Sequence, residues 1–179
     1  MAYSYRLLCA FTIFCSLFGI SLCLASSQCD STAPILLDHF ASSVRNDSLY
    51  SDLFHLLRIR SVSANQNHTQ DVRDAVQWTV DKLRSIGFDS ADFMETGGHP
   101  VAFGHLKSQV KNAKTILFYG HVDVQPADAS SPDENWDSDP FEPVIRDEII
   151  YGRGTTDDKG PVVALLAALQ TMIEQNAVP

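Results

Sequence analysis

The sequence has little cysteine and little positive charge. Three of its four cysteines lie within the first 25 residues, which leaves Cys29 alone in the remainder of the 179-residue chain. A framework of disulfide bonds is therefore excluded there. The 13 basic residues face 22 acidic ones, for a net charge of −9, which argues against nucleic acid or an anionic membrane as the main partner. Internal repeats and low-complexity segments are also absent from the sequence.

One long apolar run stands at the amino terminus. Residues 7–24 are almost wholly apolar, follow the single positive charge of Arg6, and end in small residues up to Ala25. This pattern predicts a signal peptide over residues 1–25 and a secreted or secretory-lumen location. A membrane anchor stays open if the signal is not cleaved, since about 20 apolar residues span a bilayer. Residues 26–32 are predicted to be a flexible N-terminus.

Helical periodicity marks three regions after the apolar run. Residues 33–60 are predicted to be helical in two pieces, and a clearer helix is predicted from Thr69 to Ile86. Asn67 or Thr69 suits the start of that helix as a cap, and Gly87 suits its end. The stretch from Val162 to Ile173 is apolar almost all round, which is typical of an internal helix.

Short β-rich segments lie between these helices. They are predicted near residues 92–95, 101–106, 115–119 and 144–151. The segment 115–119 is continuously apolar, as expected of a strand that is buried on both faces. The alternation of helices and strands predicts an α/β fold with a mixed, mostly parallel sheet flanked by helices.

His121 and Asp123 directly follow the predicted buried strand. Residues two apart in extended backbone face the same side, so Asp123 can accept a hydrogen bond from one ring nitrogen of His121 while the other nitrogen binds a metal ion. A histidine at a strand end is more often a polar core residue, and for this pair alone that alternative stays open.

A second polar motif has the same position relative to its strand. Asp157 and Asp158 follow a glycine-flanked strand end and directly precede a helix. The carboxyl ends of strands are where open α/β sheets bind ligands, so His121 and Asp157 are expected to converge there. The two oxygens of Asp157 could bridge two metal ions spaced about 3.5–4 Å apart. In isolation, Asp157 and Asp158 would be better explained as a helix cap and a first-turn acid.

Five strings in this sequence resemble one family: "IRSVSA", "ETGGHPV", "GHVDVQPA", "WDSDPFEPVIRD" and "YGRGTTDDKGP". From about Ser51 to its end the chain is similar to the co-catalytic zinc exopeptidases, and most similar to their carnosinase-like dipeptidase branch. The resemblance implies two Zn²⁺ ions, or other divalent cations such as Mn²⁺. It also implies that His121 is a terminal metal ligand, Asp157 the bridging ligand, Asp123 the residue that orients His121, and the Asp157–Asp158 peptide bond cis.

The resemblance implies metal-dependent hydrolysis of dipeptides or short peptides with a free carboxylate end. In the family a Glu-Glu pair supplies the general base, yet no such pair occurs in this sequence. Residues 33–179 are therefore predicted to be the N-terminal part of a catalytic domain, inactive alone, without the dimerisation domain through which the full-length protein would form a homodimer. The alternatives are an N-acyl amino acid deacylase of the same family and a non-catalytic secreted fragment that binds a partner.

Overall fold

The computed structural model of the chain describes residues 48–131 and 133–178. The predicted signal peptide, the flexible N-terminus and the first piece of the helical region 33–60 lie outside the described residues. In chain order the elements are α1 (Ser48–Arg58), a 3-10 turn (Gln66–His68), α2 (Thr69–Ser85), β1 (Ser90–Met94), β2 (Val101–His105), β3 (Val144–Arg146), β4 (Ile149–Tyr151) and α3 (Lys159–Glu174).

Helix α2 confirms the prediction made from its periodicity. The apolar residues three and four apart along the helix are buried, namely Val72, Val76, Val80 and Leu83. Gly87 follows the end of the helix with a φ of +101°, a conformation that suits glycine after a helix. The predicted start is wrong in detail, because the N-cap residue is His68 and the side chain of Asn65 caps the preceding 3-10 turn.

The α/β class is confirmed, but the strand pairing differs from the predicted mostly parallel sheet. Within the described residues, β1 pairs with β2 and β3 pairs with β4, both antiparallel. The predicted strand 144–151 is a hairpin, because Asp147 and Glu148 both have positive φ and reverse the chain between β3 and β4. The one parallel contact in the described range is an isolated bridge between Val62 and Val124.

The prediction of a buried strand over residues 115–119 is wrong for this structure. The segment forms no strand, and the exposed fractions of Ile116, Leu117 and Tyr119 are 74%, 83% and 87%. A strand of this kind is stabilised by ladders on both of its edges, and no strand in the described part of the chain pairs with it. The apolar side chains that a parallel sheet would bury therefore face solvent.

This exposed segment leads to a prediction about association. Contiguous exposed apolar side chains drive self-association, so Leu117→Lys should shift the chain toward monomer in sedimentation velocity at matched concentrations. The control is Gln77→Lys, which adds the same charge on an exposed turn of α2. An equal shift in both variants would assign the effect to net charge and contradict a role for residues 115–119.

Three apolar clusters hold the elements together. Helices α1, α2 and α3 meet around Leu56, Ala75 and Val163, and α2, β1 and α3 meet around the second cluster (Val80, Leu83, Ile86, Ala91 and Leu166). The third cluster consists of Val62, Val124 and Phe141. It joins the segment after α1 to the segment that carries His121 and Asp123.

Residues 58–63, which begin with the last residue of α1, connect several distant parts of the chain. Arg58 and Arg60 make ion pairs with Glu142 and Asp139 at 2.6 and 2.9 Å. The hydroxyl of Ser61 donates to the carbonyl of Val122 at 2.6 Å. The end of α1 thus holds both the acidic loop before β3 and the segment of the first motif.

None of the helices in the described ranges has the length and apolarity that crossing a bilayer requires.

Candidate metal site

A cavity of about 350 Å³ lies where the two sequence motifs meet. One wall comes from residues 121–125 and the other from residues 152–157. The lining residues are His121, Asp123, Val124, Gln125, Gly152, Arg153, Gly154, Thr156 and Asp157. The three residues predicted for the site therefore line one cavity.

The His121 ring stands between the two predicted acidic partners. Its Nε2 lies 2.9 Å from Oδ1 of Asp157. Its Nδ1 faces Asp123, with the backbone carbonyl oxygen at 3.1 Å and carboxylate Oδ1 at 3.2 Å. The structure thus brings together His121, Asp123 and Asp157, in the arrangement that strand-end geometry predicts.

Asp157 and Asp158 have different surroundings although they are adjacent. The Asp157 side chain is 85% exposed and turns toward the cavity. The Oδ2 of Asp158 accepts a hydrogen bond from the backbone N–H of His121 at 3.1 Å, and so links the two motifs. The peptide bond between the two aspartates is cis, as the resemblance implies.

The site carries negative charge, and this charge acts on the pKa of His121. Burial lowers the pKa of the ring, but the Asp123 carbonyl, the Asp157 carboxylate and the charges of Asp123 and Asp158 together raise it above its ordinary value of 6.5. An environment that favours a positive charge on the imidazole also favours a metal cation beside it.

Glycines on either side of Asp157 allow the backbone of the second motif to pack closely against its neighbours. Gly154 has a φ of +89°, and a Cβ there would lie 2.9 Å from Cγ1 of Val124. At Gly160 a Cβ would lie 2.0 Å from the backbone oxygen of Thr155. The loop that presents Asp157 therefore turns back on itself closely enough to exclude any side chain at position 160.

Gly160→Ala should destabilise the fold by about 1–3 kcal/mol, because backbone atoms must move to admit the methyl group. Alanine is intrinsically favoured over glycine in a helix by about 1 kcal/mol, so the steric term must exceed that gain. Gly97→Ala is the control, since a Cβ there meets nothing within 4 Å. Urea denaturation measures both variants, and an unchanged or increased stability for Gly160→Ala would contradict the predicted close approach.

Lys159 is a residue whose role the sequence analysis missed. It is fully buried at the start of α3, and its Nζ donates to the carbonyls of Leu56 and Ile59 at 2.9 and 2.7 Å. Burial lowers its pKa to about 7, against the opposing charges of Asp123 and Asp71. Lysine is almost never fully buried, so its position after Asp-Asp gives no signal of this contact from sequence alone.

Arg153 stands out among the arginines for its lack of an oxygen partner. Of those in the described ranges, it alone has a guanidinium that pairs with no carboxylate or carbonyl, and its buried Nε has no hydrogen-bond partner. The guanidinium lies 5.3 Å from the Trp136 ring centroid. A cation with unused donors at this cavity is suited to an anionic ligand.

The donor set fits a divalent metal ion in part. Two ligands of a tetrahedral zinc lie roughly 3.3 Å apart, so a small outward movement of the exposed Asp157 would admit a cation between Oδ1 and Nε2. With Nδ1 turned to Asp123, Nε2 is the nitrogen that faces Asp157. No group of three His, Cys, Asp or Glu side chains close enough to hold an ion occurs among the described residues. His121 and Asp157 therefore provide part of a site.

Comparisons with known proteins agree with the motifs. Residues 117–179 match the peptidase family M20/M25/M40. The chain is 34% identical over 128 residues to the Cys-Gly metallodipeptidase DUG1 of Candida albicans, covering 64% of this chain and 26% of the relative. It is 31% identical over 138 residues to the cysteinylglycine-S-conjugate dipeptidase of Corynebacterium striatum, covering 77% and 29%.

The same likeness extends to solved structures. Human carnosine dipeptidase 1 superposes with a TM-score of 0.69 at 28% identity, over 79% of this chain and 32% of that protein. These matches confirm the predicted resemblance, and the chain is a relative of the metallodipeptidases of this family. It spans less than a third of the length of each of these three relatives.

The prediction of secretion is wrong. The yeast Cys-Gly metallodipeptidases to which the chain is similar are cytosolic enzymes, and this finding points away from an extracellular or lumenal location. The prediction depends on the pattern of residues 1–25, which lie outside the described residues. Composition of a short apolar run carries less information than similarity over more than 100 residues.

Proposed function

We propose that this chain supplies part of the two-metal site of a dipeptidase that hydrolyses dipeptides or short peptides with a free carboxylate. The observation that carries the proposal is the convergence of Nε2 of His121 and Oδ1 of Asp157, 2.9 Å apart at the cavity. The similarity to proteins named as dipeptidases supports the choice of substrate class.

In this proposal each residue of the chain has a separate task. His121 would hold a metal ion through Nε2, and Asp157 would help to hold the metal pair through its carboxylate. Asp123 holds the His121 ring, and Asp158 holds the His121 backbone. When bound, two Zn²⁺ ions, or Mn²⁺ in their place, polarise the scissile carbonyl and make a water more acidic. The sequence contains no Glu-Glu pair, so the base implied by the resemblance is not among its residues.

The decisive experiment measures metal-dependent hydrolysis by the chain and by any longer product of its gene that carries it. A panel of dipeptides, dipeptide amides and N-acyl amino acids is tested with Zn²⁺ or Mn²⁺ and again with a chelator. We expect a longer product to hydrolyse dipeptides only with metal, and the 179-residue chain to be nearly inactive. Preferential cleavage of N-acyl amino acids would favour the deacylase, and no hydrolysis by any product would reject the enzyme.

Arg153 gives a prediction about the substrate carboxylate. In the longest active product, removing the unpaired guanidinium with Arg153→Met should raise KM for free dipeptides about 10-fold, which corresponds to the loss of one charge-assisted hydrogen bond. The KM for the matching dipeptide amides should stay the same, because they lack the anionic group. An equal rise in KM for both substrates would show that Arg153 only packs against the loop of Trp136.

Homodimerisation of the full-length protein is a further part of the proposal and rests on the resemblance alone. Light scattering of the longest product tests it, and a monomer at micromolar concentration would reject it.

A further inference from the structure

The carboxylate of Asp123 has a second partner besides His121. Its Oδ2 accepts a hydrogen bond from the hydroxyl of Ser63 at 2.5 Å, while Oδ1 lies 3.2 Å from Nδ1 of His121. An aspartate side chain rotates about two bonds, and a partner on each oxygen leaves its carboxylate in one orientation. The Ser63 hydrogen bond therefore fixes the orientation in which Oδ1 of Asp123 faces the His121 ring.

Ser63 is itself held in place by backbone contacts. The neighbouring Val62 forms the parallel bridge with Val124, and the N–H of Val124 donates to the carbonyl of Ser61 at 2.9 Å. The Nε2 of His99 lies 2.9 Å from the carbonyl oxygen of Ser63. The segment that carries the Ser63 hydroxyl is thus bonded to the segment that carries Asp123.

The chemistry of the donor suits this location. A serine hydroxyl is neutral, so it orients the Asp123 carboxylate without cancelling its charge, as an arginine at that place would. The full negative charge remains available to the Nδ1–H of His121, which strengthens the ring as a metal ligand.

We propose that Ser63 is a positioning residue for the metal site. Its hydroxyl fixes the Asp123 carboxylate, which keeps the His121 proton on Nδ1 and leaves Nε2 for the cation. The expected change in metal affinity rests on the proposed metal site, whereas the expected change in the His121 tautomer does not need a metal. Because the Asp123 backbone carbonyl also faces Nδ1 at 3.1 Å, the effect of losing Ser63 should be partial.

Three variants of the full 179-residue chain separate positioning from stability. Ser63→Ala removes the hydroxyl and Ser63→Thr keeps it. Ser61→Ala is the matched control, because that buried hydroxyl donates to the backbone carbonyl of Val122 and is not a hydrogen-bond partner of the Asp123 carboxylate or the His121 ring. The measurements are Zn²⁺ affinity by chelator competition, the His121 tautomer by nitrogen-15 NMR of the metal-free protein at a pH where the ring is neutral, and the free energy of unfolding.

We expect Ser63→Ala to bind Zn²⁺ about 3–10-fold more weakly, below the 10–100-fold typical of a residue that contacts the ligand directly. Its metal-free His121 ring should show a reduced Nδ1–H population. Ser63→Thr should restore both readouts, and Ser61→Ala should lose stability while it keeps both.

Two results would overturn the proposal: an unchanged tautomer in Ser63→Ala, or the same loss of affinity in Ser61→Ala. If the wild-type chain bound no Zn²⁺ at all, the proposed metal site would fail. The tautomer in the metal-free protein would still decide the role of Ser63, so the two failures are distinguishable.

Discussion

Replacing Asp157 with asparagine is expected to lower metal-dependent dipeptide hydrolysis by at least about 100-fold in the longest active product, and to weaken Zn²⁺ binding by the 179-residue chain. An amide has one neutral oxygen in place of two charged ones, so it cannot bridge two cations. The Asp157 side chain is 85% exposed, and its removal should therefore leave the free energy of unfolding nearly unchanged. Zinc titration and urea denaturation of the same preparation separate the two effects.

Asp137 offers a closely matched control for this substitution. Its side chain is also 85% exposed and faces one nitrogen, that of Arg146 at 3.3 Å, but it lies outside the cavity lining. Asp137→Asn changes net charge by the same amount and should leave hydrolysis and zinc affinity as they are. Equal losses in the two variants would point to net charge as the cause and reject Asp157 as a ligand.

A large effect on stability is expected at Lys159. Lys159→Met keeps the length of the side chain but removes both hydrogen bonds from Nζ, so the carbonyls of Leu56 and Ile59 keep only backbone donors, the N–H groups of Ile59 and Ser61. A hydrogen bond contributes about 1 kcal/mol, so losing these two should cost about 2 kcal/mol near pH 9 in the presence of a chelator. The control is Lys82→Met, which breaks the half-buried ion pair with Asp52 and should cost less than about 1 kcal/mol.

The loss should also depend on pH, with a sign set by the buried amine. Burial lowers the pKa of Lys159 from 10.5 to about 7, so between these values the unfolded chain binds a proton that the folded chain does not. Wild-type stability should therefore rise with pH across this window, by up to about 1.4 kcal/mol per unit. Lys159→Met should lack this rise. A parallel pH dependence in the two proteins would show that the folded amine stays charged.

The parts of the fold that local patterns determine are predictable from the sequence. Helix α2 and the β1–β2 pair follow from apolar periodicity and the turn between them, and each lies within two or three residues of its predicted bounds. The convergence of His121 and Asp157 is present as predicted, although the strand from which it was predicted does not form before His121.

The failures concern features that depend on distant partners. Residues 115–119 have the composition of a central strand, but a ladder needs a neighbour that periodicity cannot supply. Ser63 and Lys159 are 60 and about 100 residues from the groups they contact, Asp123 and the end of α1. Neither residue type is unusual in its local sequence, so nothing there distinguishes them from solvated serines and lysines.

The stretch from Arg58 to Ser63 contains no predicted metal ligand, yet it reaches the acidic loop, the start of α3 and the segment of His121 from the end of one helix. Substitutions at Arg58, Arg60 or Ser63 would act on the proposed metal site from a distance while the cavity walls keep their chemical identity. A survey of harmful substitutions confined to the cavity would overlook them.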